Sequence, residues 1–265
     1  LSLVLPAWAE GVLVVADVHG HPELFGPLID LAERERRFLV SLGDLVDRGP
    51  DNAATLRQMR QLLESRRGLF IRGNHDDKLY RTLKGNPTVV DSDLAVTIEQ
   101  LDAAPDGRSL KKHFSDAYRE APFVVALGRT IMVHGAMAPA MLKARSLPAK
   151  LRALALYGEA TRDATRKKPV RTYRWLEAVP GGMTVVIGHH PISDQTVLVR
   201  TGASGGQLIH LDAGAGKGRG LCALRLDSLG RVIDACRAVR SDHSVMIATA
   251  PLAPLADIVE QDEIG

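Results

Sequence analysis

At 265 residues the chain can bury a substantial core, as one large α/β domain or two small ones. Its 45% apolar and 25% charged residues exclude general disorder, and 4% aromatics argue against a stacking platform for single-stranded nucleic acid. The net charge of +3 suits an anionic substrate without requiring nucleic acid. Leu1 to Pro6 is apolar, and Ala7-Trp8-Ala9 looks like a signal-peptidase site. A basic n-region is missing, however, and the apolar part falls short of the roughly 7–15 residues of an h-region, so a lead-in to the first strand is expected. Val12 to Val15, Phe38 to Leu42 and Leu69 to Ile71 read as strands. Between them, Leu24, Leu28 and Leu31 mark one face of a helix over Pro22–Arg36, and Leu56, Met59 and Leu63 one face of a helix over Asp51–Arg66. Strand and helix in alternation predict a parallel, doubly covered sheet, with ligand sites at the carboxyl ends of its strands.

A polar, helical region follows over Asp77 to Tyr118. Strand-like runs resume at Phe123–Leu127, Thr130–Val133, Thr184–Ile187, Thr196–Val199, Leu208–Leu211 and Leu221–Leu226, predicting a second, mixed or antiparallel sheet packed on the first. Residues 1–240 are expected to form the domain, and Ser241 to Gly265 a tail ending in Asp257, Glu260, Asp262 and Glu263. No apolar run reaches the roughly 18 residues of a membrane-spanning helix, so no membrane partner is expected. Cys222 and Cys236 have neither zinc-site spacing nor a disulfide framework, and a reduced, cytoplasmic setting is expected.

Chemistry concentrates in three polar clusters, each following one of the first three strands. They are Asp17-Val18-His19-Gly20, Gly43-Asp44-Leu45-Val46-Asp47-Arg48-Gly49 and Gly73-Asn74-His75-Asp76. Asp17 and Asp44 are 27 residues apart and Asp44 and Asn74 are 30 apart, each interval fitting one strand and one crossover helix. The clusters should therefore meet along one sheet edge. Asp17 and His19, two apart in an extended segment, point the same way and can clasp one ion. Asp44 is placed to bridge two ions, and the Asn74 amide oxygen to bind the second. His134 and His189, each at a strand end, are candidates to complete that second site. Oxygen and imidazole donors together suit Mn, Fe or Zn better than Mg or Ca, and ions roughly 3.5–4 Å apart can share a hydroxide and clamp a phosphoryl oxygen. His21, His113, His210 and His243 are read as structural. Gly216-Lys217 does not complete a nucleotide P-loop, because Leu211 and Gly218 stand where Gly and Ser or Thr are needed.

These blocks resemble the phosphoprotein-phosphatase branch of the calcineurin-like metallophosphoesterases. Downstream, Leu83-Lys84-Gly85, Ala155-Leu156-Tyr157-Gly158-Glu159, Pro169-Val170-Arg171, Gly188-His189 and Leu211-Asp212-Ala213-Gly214 are similar to the phosphatase domain of bacterial polynucleotide kinase-phosphatase and to bacterial dinucleoside tetraphosphatases. The resemblance spans Val12 to Val232. It implies an α/β sandwich of two mixed β-sheets flanked by helices, holding two divalent transition-metal ions, Mn²⁺ first and Fe or Zn as alternatives. It also implies that Asp17, His19 and Asp44 ligate one metal and Asp44, Asn74, His134 and His189 the other. His75 would be the general acid, oriented by Asp76; Arg48 and Arg171 would grip the phosphate, with Asn74 beside them; Asp47 and Asp212 would support the ligands. Three departures stand out: Ala16 replaces a usual Gly, His190 follows His189 where Thr is common, and Gly214 to Gly220 replaces a more aromatic segment.

The expected reaction is hydrolysis of phosphate monoesters or phosphoanhydrides by direct attack of metal hydroxide, without a phosphoenzyme. The expected substrate is a phosphorylated small molecule or nucleic-acid end, including nucleotides, dinucleoside polyphosphates and RNA ends. A serine/threonine protein phosphatase acting on phosphoproteins, and a non-catalytic binding protein of the same fold, are the alternatives. The oligomeric state is not legible.

Overall fold

The computed structural model describes residues 1–144, 146–161, 170–242 and 244–255. The basic residues Arg162, Arg166, Lys167 and Lys168, together with Pro169, His243 and the acidic end from Asp257 on, lie outside the described residues.

The first half alternates strand and helix as its periodicity predicts. Strands β1 (Gly11–Val15), β2 (Arg37–Ser41) and β3 (Gly68–Phe70) are linked by helices α1 (Pro22–Arg34) and α2 (Asn52–Glu64) and pair in parallel. All five β1 residues are buried, which is why the strand reads as one apolar run without alternation. Each buried aliphatic side chain there contributes about 1.5–3 kcal/mol of transfer free energy. Pro22 opens α1, and the Asp51 carboxylate accepts from the Ala54 N–H to cap α2. Both helices end earlier than the apolar pattern suggests. Arg36 (φ 52°) and Arg66 (φ 56°) adopt left-handed backbone just past their last turns. Leu62, one residue from the expected Leu63, completes the buried face of α2. The helical region resolves into α3 (Asn74–Leu83), α4 (Ser92–Ala103) and α5 (Gly107–Glu120).

Strands β4 (Val124–Leu127) and β5 (Thr130–Val133) begin a second sheet. After them come α6 (Ala149–Tyr157), a small antiparallel pair of β6 (Glu159–Thr161) and β7 (Val170–Thr172), then β8 (Thr184–Ile187), β9 (Val197–Thr201) and β10 (Gln207–His210). Closing the fold are β11 (Leu221–Asp227), β12 (Val232–Arg240), β13 (Val245–Ala250) and β14 (Leu252–Pro254). The two large sheets run β13-β12-β11-β1-β2-β3 and β14-β9-β10-β8-β5-β4. Both are mixed: β1 pairs parallel to β2 but antiparallel to β11, and β8 lies parallel to both β5 and β10, while β4 runs antiparallel to β5 and β9 antiparallel to β10 but parallel to β14.

Successive residues of β8 divide between two cores. Val186 joins the cluster shared by both sheets and α1 to α5, whereas Val185 and Ile187 join a second cluster with Trp175, Leu176 and Ala155 of α6. Helices therefore flank a two-sheet sandwich.

Two expectations need correction. The Leu221–Leu226 run does not join the second sheet; β11 pairs antiparallel with β1, and β12 and β13 extend the first sheet beyond it. Nor is the segment after residue 240 a tail throughout. β13 forms the outer edge of the first sheet and β14 pairs with β9 at the edge of the second, so the chain from 245 to 254 ties both sheets together. Among the described residues no helix is long and apolar enough to cross a membrane.

Candidate metal centre

The three N-terminal clusters do converge, at the carboxyl ends of β1, β2 and β3, and are joined by residues that follow β5 and β8. The turns that carry them are tight. His19 (φ 48°), Asp44 (φ 47°), Asp47 (φ 73°), Arg48 (φ 70°) and His189 (φ 67°) all adopt left-handed backbone, a conformation that non-glycine residues keep only where their surroundings enforce it. The neighbouring glycines permit close approach. A Cβ on Gly73 would lie 2.2 Å from Asp44 Oδ1, and one on Gly188 would lie 2.0 Å from Asp17 Oδ1.

Asp44 is the hub. Its Oδ1 accepts from the His75 backbone N–H at 2.8 Å, and its Oδ2 lies 3.8 Å from His19 Nε2 and 3.4 Å from His134 Nε2. Two groups of side chains with donor atoms within 4.8 Å of one another share it: His19, Asp44 and His75, and Asp44, His134 and His189. Asn74 Oδ1 is 2.9 Å and His189 Nδ1 3.1 Å from His134 Nε2. Backbone carbonyls orient two of the rings, with His19 Nδ1 2.9 Å from Val46 O and His134 Nδ1 3.0 Å from Leu42 O.

Asp17 sits beside these groups. Both its oxygens accept from the His189 N–H, at 3.0 and 2.9 Å, and Oδ1 lies 3.9 Å from His134 Nδ1. The expected Asp17–His19 clasp assumed extended backbone. The left-handed turn at His19 breaks the two-residue periodicity on which that geometry rested, and His75 falls within the same 4.8 Å group as His19 and Asp44.

His189, not His190, enters the cluster; His190 Nδ1 pairs instead with the Tyr173 hydroxyl at 2.7 Å. Arg48 aims its two terminal nitrogens at His19 Nε2 (3.0 Å) and His75 Nε2 (3.1 Å). Arg171, on β7, donates to the Tyr157 carbonyl and is close enough to help depress the basicity of His189 and His190.

A second correction concerns His75. Its Nδ1 lies 2.6 Å from Asp47 Oδ2, a fully buried carboxylate, and not against Asp76. Asp76 is committed elsewhere, accepting from the N–H groups of Leu45 (3.0 Å) and Gly73 (3.3 Å), and so pins the second cluster to the third.

Electrostatically the site is overcrowded with buried acids. Burial and neighbouring carboxylates raise Asp17 well above the usual carboxyl range, push Asp76 up to about 7 and push Asp212 up to about 6. Burial opposes protonation of His134, but Asp44 and Asp17 lift it to about 9. Burial drives His19 down to about 3 and His189 to about 2, so both rings are neutral and free to donate lone pairs. His189 Nε2 is buried without a hydrogen-bond partner. Clustered carboxylates, neutral imidazoles and an unsatisfied ring nitrogen are the donor chemistry that divalent transition-metal ions satisfy, and the residues fit such ions.

His210 is buried nearby and stands apart from this chemistry. It lies edge-on to Tyr173 at 4.8 Å between ring centroids, and neither ring nitrogen has a partner. Burial, then His190 and Arg200, lower it to about 3. The unfolded chain takes up this proton near pH 6.5 and the folded chain only near 3. Stability is therefore lost as pH falls below 6.5 and is unaffected above it. His210→Phe should retain about 2 kcal/mol more of its pH 8 stability at pH 5 than the wild type does. Denaturant melts at both pH values check this, and parallel losses in the two proteins would sink it.

A two-sheet α/β sandwich whose strand ends focus one carboxylate between two imidazole-bearing groups defines a metal-dependent phosphoester hydrolase. Residues 11–210 match the calcineurin-like phosphoesterase family, and the chain belongs to it. It is similar to the asymmetrical bis(5'-nucleosyl)-tetraphosphatase PrpE of Bacillus velezensis, at 30% identity over 228 residues, covering 80% of this chain and 87% of the relative. To the corresponding protein of Bacillus subtilis it is 28% identical over 237 residues, covering 83% and 92%. Among solved structures, one provisionally assigned as a diadenosine tetraphosphatase superposes with a TM-score of 0.58 at 20% identity, covering 91% of this chain and 98% of that one. A metallophosphoesterase from Sphaerobacter thermophilus gives 0.52 at 16% identity, covering 88% and 89%. These two likenesses speak for the fold.

Proposed function

We propose that the chain hydrolyses phosphoanhydride or phosphoester bonds of nucleotides, with dinucleoside tetraphosphates as the leading substrate. The observation that carries the reading is the sharing of Asp44 by two donor groups, with Arg48 and His75 facing the same space. The substrate class rests on the relatives that match across most of both chains.

On this reading Asp17, His19 and Asp44 hold one ion and Asp44, Asn74, His134 and His189 the other, with manganese preferred and iron or zinc as alternatives. Two divalent ions supply Lewis-acid charge to the phosphoryl group and to the attacking water. The Arg48 fork binds two phosphoryl oxygens in a way a lysine ammonium cannot, and Arg171 adds positive charge beside His189. His75 holds a proton on Nε2 for the departing oxygen, while Asp47 fixes Nδ1–H and balances the imidazolium charge.

The test is a substrate panel with added Mn²⁺: diadenosine tetraphosphate, a 2′,3′-cyclic nucleotide and a phosphoserine peptide. Products are read by chromatography and phosphate release. Preferential cleavage of the tetraphosphate into unequal nucleotides is expected. Faster turnover of the peptide would point to a protein phosphatase, and metal binding without turnover of any substrate to a binding protein.

A further inference from the structure

Helix α4 carries Asp93, Thr97 and Gln100 at i, i+4 and i+7, on one face, and all three reach the loop that follows β2. Thr97 Oγ1 donates to Asp47 Oδ1 at 2.6 Å, on the oxygen that His75 leaves unused. Asp93 Oδ2 lies 3.6 Å from Arg48 Nε, the guanidinium nitrogen facing away from the histidines. Gln100 Oε1 accepts from both Asn52 N and Asn52 Nδ2 at 2.8 Å, and Asn52 Oδ1 in turn accepts from the Asp47 N–H at 2.7 Å. Gln100 Nε2 also donates to Pro50 O at 3.0 Å. The helix is anchored at its start, where Asp91 caps it through the Leu94 N–H and pairs with Lys78 of α3.

What this face holds is the strained part of the loop. Asp47 and Arg48 are consecutive residues with φ of 73° and 70°, a backbone state that costs of the order of 1–3 kcal/mol per residue and relaxes unless it is clamped. The clamp comes from outside the loop, one contact per helical turn. Asp47 and Thr97 are fully buried, so no water substitutes for the hydroxyl.

We propose that the Asp93–Thr97–Gln100 face of α4 is a positioning device for the reaction, in which Thr97 fixes Asp47 and through it the His75 ring, and Asp93 fixes the Arg48 fork. The inference rests on the reading of His75 as proton donor to the leaving group. None of the three side chains touches the reacting atoms; each acts through a residue that does.

The two arms separate kinetically. Thr97→Val removes the hydroxyl at constant shape, and kcat should fall roughly 10- to 100-fold for a nucleoside monophosphate, whose alkoxide leaving group needs a proton. KM should be unchanged, and an aryl phosphate with an acidic phenol should be turned over nearly as fast as by the wild type. Thr97→Ser keeps the hydroxyl and should restore the monophosphate rate. Asp93→Asn, at a half-exposed position that folding tolerates, should raise KM for both substrates and leave kcat largely intact. Bound metal and melting temperature are measured for each variant. Equal losses on both substrates, no recovery with Thr97→Ser, or an unchanged KM for Asp93→Asn would overturn the proposal. His75→Ala is run alongside. If it shows no dependence on the leaving group, the reading of His75 fails and takes this inference with it. If it does and Thr97→Val does not, only the role of α4 fails. Should Thr97→Val not fold, Thr97→Ser against Asp93→Asn still decides, since the positioning role requires the first to match the wild type and the second to change KM.

Discussion

Asp44→Asn is expected to reduce the bound metal from two ions to at most one, and to lower hydrolysis at least about 10³-fold, the equivalent of several kcal/mol of lost transition-state stabilisation. The substitution preserves volume and leaves an amide oxygen to accept from the His75 N–H, now at 2.8 Å from Oδ1, so the third cluster stays docked. What it removes is the one charge common to both donor groups. Burial alone would push the Asp44 carboxyl up, but the imidazoles of His134, His75 and His19 more than offset this and hold it well below the usual carboxylate range. An amide offers neither that charge nor a bridging anion. Elemental analysis for metal content and chromatography of nucleotide products check both parts. A variant with two ions bound and activity within about tenfold of wild type would remove Asp44 from the centre of the mechanism.

The sequence made the first half of this site legible because each functional residue follows an apolar run. Val12 to Val15 needs no alternation, being buried on both faces; Asp17 and Asp44 are the first polar residues beyond their runs, and Asn74 stands three residues past Ile71. The same rule located His134 and His189 after β5 and β8. Sheet membership was less accessible. The run at Leu221 is as apolar as its neighbours, and nothing local says that β11 inserts next to β1 across more than two hundred residues of chain. The strand β13 carries no clean alternation, with Val245, Ile247 and Ala248 half-buried and Met246 exposed, and so its sequence gives no strand signal.

Within the site, adjacency misled. Asp76 follows His75 directly, but helix α3 begins at Asn74, and a helical neighbour points some 100° away around the axis. The carboxylate that meets the ring comes from Asp47, 28 residues earlier. Asp47 had been visible as a support for the ligands, without its partner. Thr97 and Asp93 had no signal at all: a threonine and an aspartate on an amphipathic helix are ordinary surface residues until the fold brings that face over a strained loop.

That misplaced partnership yields the second large prediction. Asp47→Asn should lower hydrolysis of substrates with poor leaving groups by roughly 10²–10⁴-fold, the usual contribution of a general acid. The Asp47 carboxylate uses both oxygens, Oδ1 for the Thr97 hydroxyl and Oδ2 for His75 Nδ1. An asparagine has a single oxygen for these two donors. With the oxygen toward Thr97, its NH₂ faces Nδ1 and forces the ring into the wrong tautomer. With the oxygen toward His75, the ring keeps its orientation but loses the buried negative charge that balances a doubly protonated imidazole. Either way Nε2 no longer delivers a proton while Nδ1–H is retained. Metal content should be unchanged, because Asp47 belongs to neither donor group. The decisive comparison is the double variant. If Asp47 acts only through His75, Asp47→Asn combined with His75→Ala should be no slower than His75→Ala alone. Losses that multiply would mean that Asp47 serves the reaction by another route, most directly by holding the left-handed turn that aims Arg48.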